Sequence, residues 1–383
     1  MSFLTRNLAI REPLLISLLV LLAIVSFAFT HAYSQAYDAR RNDLGQKWFE
    51  HGNQELAVNQ PAAGVEAYRT ALSYMPQNWE CRLRLAEALV LAGQTHQAHE
   101  YFAGLWQVQP QNGTVNLQLA RLAAREGNAL EAERYYNGAI FGNWPDDSRD
   151  RRRDAVFELI DFYLQRHDLR QAESQLLTLS ANLPDDPALQ TRVADLFMRV
   201  QDYAHALDFY KRAARQDQHN LAALLGAGKA ALQLGDYRMA ESYSARALHE
   251  DNGNQDAGNL LRLAQTALQL DPFEHGINSS EKARRALRSF EIVGARLDAC
   301  DQQRGKSTSS TPANAPLISS LQKWNQWKPN ANLTSLAHNP DQADELFDFA
   351  LQAEQAIQAT CGQAAVYDEA LLALVRKRSA EEK

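Results

Sequence analysis

The residues able to do chemistry in this chain are few and widely spaced. Of ten histidines, the one compact pair is His96 and His99, three apart and followed by Glu100. On a helix that spacing puts two imidazoles on one face, the beginning of a zinc site. Zinc needs a third protein ligand, however, and the HExxH pattern is absent. His338 and Asp341 stand near other carboxylates in the C-terminal part, at no spacing that specifies a reaction. There is no Walker loop, GxSxG elbow or Rossmann glycine pattern. These observations point to a non-enzyme with no cofactor and no metal. The competing class is an enzyme whose activity resides in the C-terminal helices.

The three cysteines are Cys81, Cys300 and Cys361. Cys81 falls in a helical segment and reads as a small core residue. In an oxidising compartment Cys300 and Cys361 could close a disulfide around about sixty residues, worth ~4 kcal/mol on the chain-entropy model. The alternative is two unpaired thiols. Asn112-Gly-Thr114, Asn278-Ser-Ser280 and Asn332-Leu-Thr334 match glycosylation acceptors, which matter only where the host glycosylates the compartment. The formal charge of -7 comes without a basic stripe, so the footprint of a nucleic-acid binder is missing.

The element that places whatever this chain does is its N-terminus. Pro13 to Thr30 contains no charge, and as a helix it would be about 27 Å long, close to the thickness of a bilayer's hydrocarbon core. Arg6 and Arg11 precede it, while Asp38, Arg40, Arg41 and Asp43 nearly cancel on the far side. Positive residues stay cytoplasmic, which predicts an N-terminus inside and everything after Ala32 outside, periplasmic in a bacterium. A cleaved signal peptide ending at Ser34-Gln-Ala36 is the alternative. The ranges are then a cytoplasmic segment at 1–12, a signal anchor at 13–32 and a juxtamembrane linker at 33–44.

The middle of the chain repeats. Stretches starting at Gly45, Trp79, Gly113, Arg153, Pro187 and Leu221 share small and large residues at equal offsets, with a partial copy from Gln255. The steps are 34 residues except for the third, which is 40. In the second copy Trp79, Leu83, Ala86, Leu89 and Val90 follow a helical period, Gly93 stops that helix, and Ala98, Phe102, Leu105 and Trp106 mark a second one ended by Pro110. The eighth place is Gly52, Ala86, Ala120, Ile160, Ala194 and Gly228. The twentieth is Gly64 and then alanine in every copy, and the twenty-fourth is Tyr68, Phe102, Tyr136, Leu176, Tyr210 and Ser244. Small residues allow two helices to approach, and large ones fill the space between neighbouring hairpins. The six extra residues of the third copy predict a loop at Asn143–Asp154.

This pattern resembles the tetratricopeptide repeat (TPR) family over Gly45 to about Pro272. The resemblance implies an all-α chain: a right-handed superhelical solenoid of about six helical hairpins at 45–272 with capping helices, preceded by one transmembrane helix. It also implies an inner surface lined by the first helix of each copy, at its fifth and ninth places among others. Here those are Phe49 and Asn53, Leu83 and Glu87, Leu117 and Arg121, Phe157 and Asp161, Thr191 and Asp195, and Leu225 and Lys229. Apolar anchors alternating with both signs of charge suit an extended peptide or a helix. The Lys/Asn clamp by which some relatives hold a C-terminal carboxylate is not matched.

Beyond the array the sequence predicts a cap from Gln255, a helix within 273–305, a flexible linker at 306–316 and a C-terminal helical region at 317–383. That last region could fold back on the array, occupy its groove, or pair with the helix after Ser280. The function expected is a membrane-anchored scaffold that binds a protein or peptide in its groove, in the setting of envelope assembly or secretion. The alternative is an enzyme or a self-associating subunit using the C-terminal helices. Partner identity and oligomeric state stay open.

Overall fold

The computed structural model describes residues 3–145, 148–305, 315–362 and 366–381. Their regular secondary structure is helical throughout. The first helices are α1 (Phe3–Ala57), α2 (Pro61–Tyr74), α3 (Trp79–Leu91), α4 (Thr95–Val108), α5 (Gly113–Arg125) and α6 (Ala129–Ile140). Then follow α7 (Arg149–Gln165), α8 (Leu169–Ser180), α9 (Pro187–Arg199), α10 (Tyr203–Gln216), α11 (Leu221–Gln233) and α12 (Tyr237–Glu250). After the repeats come α13 (Gln255–Leu270), α14 (Ser279–Gly305), α15 (Ala315–Trp327), α16 (Leu333–His338), α17 (Pro340–Cys361) and α18 (Val366–Glu381). The chain forms two compact units, Met1–Phe162 and Tyr163–Lys383, divided inside α7.

One position decides where each first helix begins. The residue before each copy is Leu44, Asn78, Asn112, Arg152, Asp186, Asn220 or Asn254. The five Asn and Asp side chains each accept a hydrogen bond from the N–H three residues on, at 2.8–3.1 Å, and the helix starts there. Leu44 and Arg152 cannot cap in this way, and those two helices run on through the position. α1 therefore reaches back unbroken to Phe3, and α7 to Arg149.

Helix ends obey an equally local rule. The fifteenth place has positive φ in every copy, at Asn59, Gly93, Gly127, His167, Gln201 and Gly235. This left-handed residue turns the next N–H back on the helix, as in Gln94 N to Leu89 O at 2.8 Å. From the third copy onward that next residue, Asn128, Asp168, Asp202 or Asp236, also caps the second helix. One short turn thus ends one helix and begins its antiparallel partner.

Small and large places pack as their chemistry requires. The twentieth-place Gly64, Ala98, Ala132, Ala172, Ala206 and Ala240 are all buried, as are the twenty-fourth-place residues from Tyr68 to Ser244. At Gly52 a Cβ would stand 2.7 Å from the Tyr68 ring, so the eighth place of the first copy has room for hydrogen alone.

Several expectations are revised. The predicted loop at Asn143–Asp154 is half helix, since α7 starts at Arg149; Asp146 and Asp147 lie outside the described residues. The inserted Trp144 is buried as a plug, its Nε1 donating to Ala139 O at 2.8 Å and its indole filling the space above Gly113. Residues 33–44, read as a linker, are continuous helix within α1. Most of the predicted linker at 306–316 falls outside the described residues, and α15 opens at Ala315. Finally, α13 does not end the stack, because α18 folds back along it and reaches the C-terminal end of α11.

In that second unit Lys377 Nζ meets the buried Asp271 carboxylate at 2.8 Å and lies over the Tyr237 ring. α14 pairs with α17, and Phe290 packs against Trp324 and Phe349, with ring centroids at 4.3 and 5.7 Å. A disulfide joins Cys300 at the end of α14 to Cys361 at the end of α17, with their Cα atoms 6.0 Å apart. The C-terminal region thus combines two of its predicted arrangements, folding back on the array and pairing with α14.

Asn220→Ala should lower stability by about 1–2 kcal/mol through loss of the cap, and Gln201→Gly should raise it by about 0.5–1 kcal/mol by relieving a left-handed residue. Chemical denaturation followed by circular dichroism checks both signs.

Candidate functional site

The first helix of each copy shows a stripe of side chains that packing leaves open. In the first unit the sixth, ninth and thirteenth places are Arg84, Glu87 and Leu91 on α3, and Gln118, Arg121 and Arg125 on α5. On α7 the stripe begins with Glu158 and Asp161. In the second unit α9 carries Arg192, Asp195 and Arg199 in the same places. All are exposed or half-buried, since steps of three and four residues keep them on one helix face.

The fifth places behave differently from the ninth. Leu83, Leu117, Phe157 and Thr191 are buried. Phe49 and Leu225 are half-buried, and the Phe49 ring lies 5.7 Å from that of Tyr68. Leu83, Leu117, Phe157 and Thr191 thus pack into the core, and Phe49 and Leu225 keep part of their surface open. The ninth-place Asn53, Glu87, Arg121, Asp161, Asp195 and Lys229 remain open or half-open.

Internal partners fix several of the ninth-place groups. Arg121 makes a two-pronged ion pair with Glu158 at 2.8 and 2.6 Å, tying α5 to α7. This bond also holds the guanidinium pKa above its ordinary value. Arg84 reaches both Glu80 and Glu87 at 3.1 Å, while burial pushes the Glu87 carboxyl upward against the opposing pull of Arg84. Lys229 pairs with Asp256 at 3.2 Å. Twenty-fourth-place tyrosines join the core to this face: Tyr68 donates to Asn53 at 2.7 Å, and Tyr210 to Asp195 at 2.5 Å. Burial raises the pKa of both phenols, that of Tyr68 to about 12, so both remain protonated donors.

Between α3 and α5 this face opens into a cavity of about 320 Å³. Val90, Leu91 and Leu122 form an apolar floor, with Glu87, Arg121, Arg125 and Gln118 around it. Leu91 is 66% exposed. Arg125 has no carboxylate within ion-pair distance among the described residues. The cavity can take an aliphatic side chain on its floor and a negative group at its rim. Leu91 and Arg125 stand at the thirteenth place, one helical turn beyond the ninth on the same face, and the resemblance did not point to that place.

His96 faces Glu100 at 3.6 Å and His99 faces Glu126 at 3.8 Å, and no group of three metal-ligating side chains occurs among the described residues. His338 Nδ1 lies 2.7 Å from the Thr334 carbonyl oxygen. Asn112, Asn278 and Asn332 of the glycosylation triplets each accept a hydrogen bond at a helix start, from the backbone N–H of Val115, Glu281 and Ser335.

One further cluster lies beside the disulfide. Arg296 of α14 bonds the buried Glu354 of α17 at 2.6 Å and the buried Asp368 of α18 at 2.8 Å, and donates to Gly362 O at 2.7 Å. A single guanidinium thus serves two carboxylates. Burial, with help from Asp368 and against Arg296, lifts the Glu354 pKa to about 7.

Comparison with known proteins adds the following. No protein-family model matches the sequence, and no curated protein does. Among solved structures, pilF of Pseudomonas aeruginosa is 18% identical, with 57% of this chain and 96% of that chain covered at a TM-score of 0.40. PilW, a type IV pilus biogenesis factor, is 18% identical, covering 57% and 98% at 0.40. The C-terminal part of a TPR-containing protein of Cytophaga hutchinsonii is 11% identical, covering 84% and 99% at 0.45. Scores of this size leave function to be argued from the inner face itself.

Glu354 binds its proton more tightly in the fold than in water, so the packing of α14, α17 and α18 should be most stable below pH 4.5. It should weaken as pH rises from there through about 7. Hydrogen exchange of α18 amides across this range measures the effect, and Glu354→Gln should flatten the profile.

Proposed function

We propose that this chain, whose stacked 34-residue hairpins have the tetratricopeptide-repeat fold, is a membrane-anchored adaptor that captures another protein on its inner helix face, outside the cytoplasm. The observation carrying this reading is the cavity between α3 and α5. An exposed leucine on its floor and an arginine at its rim without a carboxylate partner are groups that a protein segment would cover. Binding by shape and charge suffices for such a role. Envelope assembly or secretion is the setting in which a captured protein would be handled at a membrane surface.

Anchoring rests on α1. The portion of it starting at Ile16 includes a stretch long and apolar enough to cross a membrane, with side chains from Ile16 to Tyr37 exposed. Arg6 and Arg11 favour a cytoplasmic N-terminus. Two features support an oxidising location for the array: Cys300 and Cys361 are joined, and Cys81 is sequestered in the core.

A photo-crosslinking residue at Leu91 of the full-length, membrane-inserted chain should trap a protein partner, and the same residue at the exposed Val108 should not. Arg125→Glu should reduce the Leu91 product about tenfold, with unchanged circular dichroism. Equal trapping at Leu91 and Val108, or indifference to the charge reversal, would remove the cavity from the reading.

A further inference from the structure

Where the end of α15, the turn after it, α16 and the start of α17 meet, the second unit holds a cavity of about 270 Å³ that the repeat does not account for. Local rules make this corner. α15 ends at Trp327, two residues before Pro329, which cannot continue a helix. The chain then folds tightly, with Ala331 N donating to Trp327 O at 3.0 Å, and Asn332 and Asn339 cap the starts of α16 and α17. Leu336 and Leu346, both buried, line the cavity together with the half-buried Trp327. The Trp327 ring is braced by Phe349, with ring centroids 5.6 Å apart.

The polar side chains of the lining are three carboxamides, Gln326, Asn330 and Gln342, and one carboxylate, Glu345. Ser335 Oγ donates to Gln342 Oε1 at 3.4 Å, which leaves the NH2 end of that amide free to donate. Neither the Gln326 and Asn330 amides nor the Glu345 carboxylate has a hydrogen-bond or ion-pair partner among the described residues. No Lys or Arg lines the cavity, and Lys328, next to Trp327 in the chain, is turned over the Trp324 ring at 5.3 Å. An anion would therefore meet Glu345 and no positive charge. An alkyl group would strip water from the amides and give them nothing in return. A cation would use Glu345 and one ring face and leave the amides idle. A neutral ring carrying several hydroxyls meets the whole set, since each hydroxyl both donates and accepts, as each carboxamide does.

We infer that this corner binds a sugar, one neutral pyranose ring lying on the Trp327 indole with its hydroxyls shared among Gln326, Asn330, Gln342 and Glu345. The ring's C–H face covers the apolar part of the lining, and its edge meets the polar part, the usual division of labour in a small-molecule site. Gln326 and Asn330 are exposed, so the cavity is open on their side. A bound ring can therefore remain part of a longer glycan. The site lies outside the inner face of the repeats, and it does not depend on the adaptor reading.

The test is saturation-transfer NMR on the full-length chain in lipid nanodiscs, prepared without sugar-headed detergent and with empty nanodiscs subtracted. Glucose, galactose, mannose and N-acetylglucosamine are the probes, and tetramethylammonium and acetyl-diglycine amide stand for the competing classes. At least one sugar should receive saturation, most strongly at the ring C–H protons of one face. Gln326→Ala and Asn330→Ala, both at exposed positions, should each weaken its binding about fivefold with unchanged circular dichroism. Transfer to none of the sugars, stronger transfer to the ammonium ion or the peptide, or sugar binding indifferent to both substitutions would overturn the assignment.

Discussion

The structure depends on a close approach. The two helices of a hairpin come together at the twentieth place, where each copy has nothing larger than a methyl group, buried in every case. Helix axes pack 8–10 Å apart, and the lower end of that range is open only to small residues. The large side chain one turn later, from Tyr68 to Tyr210, then reaches across the gap and fills it. No hairpin can bury its outer apolar side alone, so each needs a neighbour, and the array extends until something different covers its end.

The ends are where the repeat is broken, and the breaks have simple causes. An Asn or Asp before a copy satisfies the N–H groups left open at a helix start, and Leu44 and Arg152 lack the chemistry to do so. At Leu44 the consequence is large, because the membrane-length helix and the first repeat helix become a single rod. At Arg152 it is local, a further helical turn behind the Trp144 plug. At the C-terminal end α18 supplies both apolar cover and a charge, with Lys377 meeting the buried Asp271.

The inner face inherits its composition from the same periodicity. Residues three and four apart from a ninth place stay on the open side, so the stripe runs through sixth, ninth and thirteenth places. Part of its charge is consumed internally, as Arg121 by Glu158, and part is held in place from below by the buried phenols of Tyr68 and Tyr210. What remains available is concentrated between α3 and α5, where Leu91 and Arg125 border a cavity.

Much of this was legible in the order of residues. The 34-residue period, the hairpin turns at Gly93 and its equivalents, and the apolar run at the N-terminus follow from local rules of helix stopping, small-residue placement and membrane length. The lack of a capping side chain at Leu44 and Arg152 was equally legible beside Asn78 and Asn112, and it is why helix runs through 33–44 and begins at Arg149, within the stretch read as a loop. Sequence could not say that the fifth-place Leu83 and Phe157 would be taken up by the core while the ninth places stayed open, since both lie toward one side of the helix. Nor could it say that α18 would return to α13, or that Arg296 would face two carboxylates from helices far apart in the chain. Local order determines which helices form and how each hairpin turns, because capping, φ and small-residue approach act within a few residues. Only the tertiary structure decided which faces are covered and which groups share a buried charge, because burial is set by neighbours that the chain brings together from a distance.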